Sequence, residues 1–251
     1  MRYKKITLHT LRLSVLTMWI HSGAGVSETT VFDGGGTHEL TQQAYPQGIE
    51  AKNTAQVNNK PGQALSLSSG GTEKTAVKAS GEGTSVMLEG TEKQKITVNT
   101  KADGGAYGLR ATEKSTLTLR HMDITLKGAN DTAVAVQTEG KVDIGSSTLS
   151  GTENQFYGLW ATGKDTEVTG HQLKITSQGA DSRAVTSYSA QLTLKDSTIS
   201  SIGKNARGIL AFESARVPGC QGARVPGCQG ARVPGCQGAR VPGCQGARVT
   251  G

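Results

Sequence analysis

"YGLRATEKSTLTLRHMDITLKGAND" (Tyr107–Asp131) and "YGLWATGKDTEVTGHQLKITSQGADS" (Tyr157–Ser182) are two versions of one pattern, and they start fifty residues apart. Between and after them stand "TAVAV" (Thr132–Val136), "RAVTS" (Arg183–Ser187) and "RGILA" (Arg207–Ala211). The central apolar residues of these segments are Leu109, Val134, Leu159, Val185 and Ile209, at steps of 25, 25, 26 and 24 residues. A fixed period of this size marks a repeat architecture, to be recognised before any single element is assigned.

Each period carries two further short runs. The second column holds Leu117 and Leu119, Val142 and Ile144, Thr166 and Val168, and Leu192 and Leu194. The third holds Ile124 and Leu126, Leu149, Leu173 and Ile175, and Ile199. Alternation of apolar and polar residues over four or five positions is the strand signal. "TEKS", "KGAND", "TEG", "GKD", "QGADS" and "GKNA" separate the runs and supply turn chemistry.

Three short strands per period of about 25 residues predict an all-β fold, a right-handed parallel β-helix. One coil cannot bury its apolar face alone. Stacking coils at about 4.8 Å pairs every strand with its counterparts above and below. "TAVKA", "SVMLE" and "KITVN" form an earlier coil, and the longer step from Val77 to Leu109 predicts a loop insertion there. "ETTVFDGGGTHEL" and "QALSLSS" belong to a first, irregular coil, which brings the expected total to roughly six to eight coils.

Candidate chemistry is tested against this lattice. A polysaccharide-cleaving site needs carboxylates converging on one face. Asp131 and Asp181 recur two coils apart but fall in turns, where Asx side chains satisfy local N–H groups. Asp123, Asp143 and Asp196 fall in different parts of their coils. His121 and His171 lack the accompanying acids or cysteines of a metal site and read as exposed strand or turn residues. "DGGG" and "SSGG" lack the lysine or following helix of a phosphate loop. No catalytic residue, metal ligand or cofactor is expected.

One column reads as a surface. Gly108, Ala133, Gly158, Ala184 and Gly208 each precede a buried aliphatic residue, so alternation turns them outward. With Arg110 and Trp160, two residues on, they make a candidate partner-binding strip. Close packing under a loop or neighbouring strand is the competing account of their small size.

The two ends differ from the body. Residues 1–26 combine Arg2, Lys4 and Lys5, a short apolar stretch and small residues Ser22–Gly25, the three-part pattern of a secretion signal, although His9 and Arg12 interrupt it. The sequence pI of 9.3 arises at the ends. Without the nine basic residues found there, 18 basic residues face 20 acidic ones. No nucleic-acid partner is therefore implied. All four cysteines lie in residues 215–251, where Ala-Arg-Val-Pro-Gly-Cys-Gln-Gly repeats four times unchanged. Written with the codons GCC AGG GTG CCA GGG TGC CAG GGT, one copy reads GCCAGGGT three times. The octapeptide is thus one octanucleotide translated through all three frames. Slippage of a DNA tract produces such a repeat, and each unit gained or lost changes the downstream frame. Val-Pro-Gly also suits a type II turn, so a crosslinked elastic tail is the competing account. Proline in every copy and sparse apolar residues predict a disordered tail.

The body, residues 27–214, resembles the passenger domain of Gram-negative autotransporters, the pertactin-like adhesin group. The likeness rests on the two quoted stretches and on an exported, cysteine-free, Gly/Ser/Thr-rich body; it is architectural. It implies a surface-exposed or secreted virulence adhesin that binds a host or cell-surface protein or glycan, normally followed by an outer-membrane barrel. After Glu213 no amphipathic strands of barrel type follow, so the expectation is a phase-variable or truncated passenger, exported to the periplasm. Fused to a translocator, it would reach the cell surface. The alternatives are a carbohydrate-active β-helix enzyme and a non-functional frame-shifted product.

Overall fold

A strand whose side chains alternate needs two environments, and this chain supplies them by coiling around an apolar interior. The structure is a computed structural model that describes residues 28–212, except 72 and 102, and two short tail strands, Arg232–Pro234 and Arg248–Thr250. The secretion-signal expectation and most of the expected disordered tail lie outside the described residues. Among the described residues there is no helix. Three parallel sheets wind about seven turns of a β-solenoid.

Sheet A has eight strands: Thr30–Asp33, Ile49–Lys52, Thr75–Ser80, Tyr107–Thr112, Thr132–Gln137, Tyr157–Thr162, Arg183–Tyr188 and Arg207–Phe212. Sheet B has seven strands, Gly36–Glu39, Ala55–Asn58, Ser85–Glu89, Thr116–Arg120, Lys141–Gly145, Glu167–His171 and Gln191–Lys195, and sheet C seven, Ala44–Tyr45, Ser66–Ser68, Ile96–Asn99, Met122–Leu126, Thr148–Gly151, Lys174–Ser177 and Thr198–Ser201. Every neighbour in each sheet is the equivalent strand of the next coil, as in a solenoid. The register pairs Val77 with Leu109, Leu109 with Val134, Val134 with Leu159, Leu159 with Val185 and Val185 with Ile209. All of them are buried. This continuous aliphatic column is the one read from the 25-residue period.

The second column departs from expectation in one coil. Val168, not Thr166, pairs with Val142, and Gly170 pairs with Ile144. Gly170 leaves no gap, because a Cβ there would stand 2.7 Å from both Leu173 Cδ1 and Leu194 Cδ2. Side chains from the next corner and the next coil fill the place of an aliphatic residue. Thr166 is buried at the turn, where its hydroxyl donates to the Thr162 carbonyl and accepts from the Glu139 N–H. In sheet C, Ile124, Leu149, Ile175 and Ile199 align as expected. Leu126 is followed by Gly151, Ser177 and Ser201. The Phe156 ring lies where a Gly151 Cβ would project.

Corners repeat as faithfully as strands. His121, Ser146, Gln172 and Asp196 turn the chain from sheet B to sheet C, with φ of 53°, 50°, 52° and 48°. Asn130, Gln155, Asp181 and Asn205 turn it from sheet C to sheet A, with φ of 60°, 59°, 55° and 55°. Asn and Asp tolerate this left-handed region better than most residues. Asp181 therefore holds its expected turn position. Asp131 lies one residue further on and is wholly buried. Its carboxylate accepts from the Thr100 hydroxyl and from the N–H groups of Ala106 and Gly128. These three donors replace the water an exposed turn carboxylate would keep.

Most of the expected insertion lies at one corner. Between the inward residues of sheets B and C, four coils use seven residues: Leu117 to Ile124, Val142 to Leu149, Val168 to Ile175 and Leu192 to Ile199. The Val86 to Val98 step uses twelve, five more, because "GTEKQK", Gly90–Lys95, stands where the next coil has the single corner residue His121. In the tail, Arg232–Pro234 and Arg248–Thr250 pair in parallel, two repeats apart, against the expectation that no strand forms there. Proline stands last in its three-residue strand, where its missing donor interrupts nothing further along the ladder.

Candidate functional site

The proposed strip divides in two. Gly108, Ala133, Gly158, Ala184 and Gly208 are buried and face inward, which corrects the outward placement. A Cβ on Gly108 would meet the Ala133 carbonyl oxygen at 2.6 Å and Ile124 Cγ2 at 3.2 Å. On Gly158 it would meet the Ala184 carbonyl oxygen at 2.3 Å and Ile175 Cγ2 at 2.6 Å. As the chain leaves the corner it directs two successive residues, 108 and 109 or 158 and 159, into the core. Strict alternation begins only after them. The column is small because sheet C packs against it, which is the close-packing account.

Arg110 and Trp160 do face outward from sheet A, in one column with Lys78, Ala135, Thr186 and Leu210. They do not stand alone. The Arg110 guanidinium lies 5.0 Å from the centre of the Tyr107 ring and hydrogen-bonds Gln137 Oε1 through Nε and Nη2, at 3.2 and 3.1 Å. Two coils on stands Tyr157, and Arg183 of the coil after it lies 5.3 Å over the Tyr157 ring and donates to its hydroxyl at 3.3 Å. The Tyr157 and Trp160 rings are 6.3 Å apart and tilted by 42°. Between the two groups lie Thr132 and Ala135, both buried.

The result is an aromatic platform edged by guanidinium groups. Tyr107 and Tyr157 are two coils apart, or about 10 Å at the usual strand spacing. Among the described residues neither Arg110 nor Arg183 has a carboxylate partner, whereas Arg120 is paired with Asp143. A cation over an aromatic face gains modestly from the ring quadrupole while keeping its outer N–H groups available. Sequence reasoning found Arg110 and Trp160 but missed Tyr107, Tyr157 and Arg183. The signal was present, since Tyr107, Thr132, Tyr157 and Arg183 share a register column.

Beside Arg110 opens a cleft of about 400 Å³ lined by Lys78, Arg110, Glu113 and Gln137, among others. Lys78 closes one side. Burial works against its charge, but hydrogen bonds and charges from Glu73 and Glu50 prevail and hold the ammonium above the ordinary lysine value. The distances are 2.6 Å to Glu73 and 2.9 Å to Glu50. Lys78 is thus internally neutralised, and the free positive charge of the face belongs to the arginines.

The other candidates are dispersed. Asp123 lies on the outer side of sheet C, Asp143 on sheet B and Asp196 at a corner. His121 is a corner residue. His171 ends a strand, with its ring over Gly145 and Nδ1 3.9 Å from Asp143.

Fold and face together define a class: a parallel β-solenoid presenting an aromatic and cationic platform on one sheet. No protein-family model, curated protein or solved structure matches the chain.

Proposed function

We propose that this chain is an exported binding protein, an adhesin built like an autotransporter passenger, and that sheet A is its contact face. The observation that carries the reading is the cluster of Tyr107, Arg110, Tyr157, Trp160 and Arg183, whose guanidinium groups lack carboxylate partners among the described residues. Tyrosine, tryptophan and arginine dominate protein contact sites, because they combine large contact area with directed donors. The same groups suit a glycan, with rings stacking on sugar faces and guanidinium groups bonding hydroxyl or acidic substituents. The partner class is a host or cell-surface protein or glycan. The perfect octapeptide, which one octanucleotide read through three frames would encode, supports a phase-variable reading frame for such a surface protein.

The test is binding of the full chain to panels of immobilised host-cell glycoproteins and glycans. Arg110→Ala and Trp160→Ala should each weaken capture by about tenfold, as expected for a central contact residue. Equal capture by the double variant, or no capture by any panel member, refutes the reading. For export, N-terminal sequencing of periplasmic protein should find the chain trimmed near Ala24–Ser27.

A further inference from the structure

The widened corner between sheets B and C creates a second concave surface, away from sheet A. The inserted segment Gly90–Lys95 forms one wall of a cleft of about 430 Å³, and the corner residues His121, Ser146 and Gln172 of the next three coils also line it. Lys174 stands beyond them and Glu92 on the inserted wall. The volume falls in the range of small-ligand sites.

The wall is anchored rather than draped. Gly90 donates to the Arg120 carbonyl at 3.0 Å and Ile96 donates to the His121 carbonyl at 3.1 Å, so both ends of the insertion join the following coil. Within it, Thr91 N–H donates to the Gln94 carbonyl and Gln94 N–H to the Thr91 hydroxyl, at 2.9 and 3.0 Å. A Cβ on Gly90 would stand 2.7 Å from the His121 carbonyl oxygen, so glycine permits this close approach.

Charge then selects the occupant. Lys52, Lys60, Lys74, Lys78, Lys114 and Lys141 all make ion pairs. Among the described residues Lys95 and Lys174 make none, as do six lysines elsewhere on the surface, and these two are the ones that line the cleft. Ser146 donates its hydroxyl to Gln172 Oε1 at 2.8 Å, which leaves the Gln172 amide N–H groups without an acceptor among the described residues. Donors therefore outnumber acceptors, with Glu92 the single carboxylate of the lining. Two unneutralised ammonium groups and an amide donor, set among hydroxyls, match an anionic substituent carried on a hydroxylated ring.

We infer that this corner cleft binds an acidic sugar unit, sulfated or carboxylated, through Lys95 and Lys174. The site is separate from the sheet A platform and does not depend on it. Titration calorimetry of the full chain at low ionic strength tests it with four probes: a sulfated disaccharide, a uronic-acid disaccharide, a neutral disaccharide and inorganic sulfate. At least one acidic disaccharide should bind, and comparing the two identifies the substituent. The neutral one should bind at least about tenfold more weakly, and added salt should weaken the acidic ligand. Lys95→Glu with Lys174→Glu should abolish binding, Glu92→Gln should strengthen it, and Lys164→Glu, at an exposed lysine outside the cleft lining, should leave it unchanged. Both lysines are surface groups, and an unaltered far-UV CD melt of the double variant excludes misfolding. The proposal is overturned if neither acidic disaccharide binds or if the neutral one binds equally. It is also overturned if inorganic sulfate alone matches the sugars, or if binding survives the double charge reversal or falls in Glu92→Gln.

Discussion

Replacing Gly158 with alanine decides which way its column faces, because the two placements predict opposite signs. If residue 158 faced solvent, removing a glycine from a strand would stabilise the fold by about 0.5–1 kcal/mol through reduced chain entropy. In the structure the new Cβ would stand 2.3 Å from the Ala184 carbonyl oxygen and 2.6 Å from Ile175 Cγ2. The isoleucine side chain can rotate, but the carbonyl belongs to the backbone of the adjacent coil. Relief requires separating the strands Tyr157–Thr162 and Arg183–Tyr188, which are paired through Leu159–Val185 and Ala161–Ser187. Overpacking of this kind costs about 1–3 kcal/mol, more than the entropy gain. Gly158→Ala should therefore lower the urea midpoint measured by far-UV CD. Thr169→Ala, at an exposed position in sheet B, should move stability by no more than about 0.5 kcal/mol. An unchanged or raised midpoint for Gly158→Ala refutes the inward placement.

Leu159→Asp places a carboxylate between Val134 and Val185 in the sheet A column and should cost several kcal/mol, seen as loss of the cooperative melt. Asp131→Ala strands three buried donors, from Thr100, Ala106 and Gly128, and should cost about 2–5 kcal/mol in urea titration. Lys78 is held above the ordinary lysine value in the folded chain, so its stabilisation is complete below the unfolded value of 10.5 and is lost as pH rises through the folded one. Stability should thus fall more steeply above about pH 10.5 in the parent chain than in Lys78→Met, compared by thermal melts across that range.

The sequence by itself determined the repeat, the three strands per coil and the columns that stack. Leu109, Val134, Leu159, Val185 and Ile209 recur at a nearly constant step. Each lies within a strand, where side-chain direction follows from position alone. The extra length between Val77 and Leu109 was equally legible, since register conserves the strands and expels surplus chain into the corners, most of it into one. Tertiary structure alone decided what happens at those corners. There the period of two fails. Gly108 and Leu109 both turn inward, and Asp131 sinks beneath its own corner, one residue past the position equivalent to that of Asp181; in sheet B the alternation holds, but Val168 rather than Thr166 aligns with Val142. Burial at a corner depends on which neighbouring coil fills the space, as Leu173 and Leu194 do beside Gly170, and a linear pattern does not carry that information. The sheet A platform and the corner cleft share this origin. Each gathers residues from several coils, and they converge because stacking at a strand's spacing brings residues one period apart into contact.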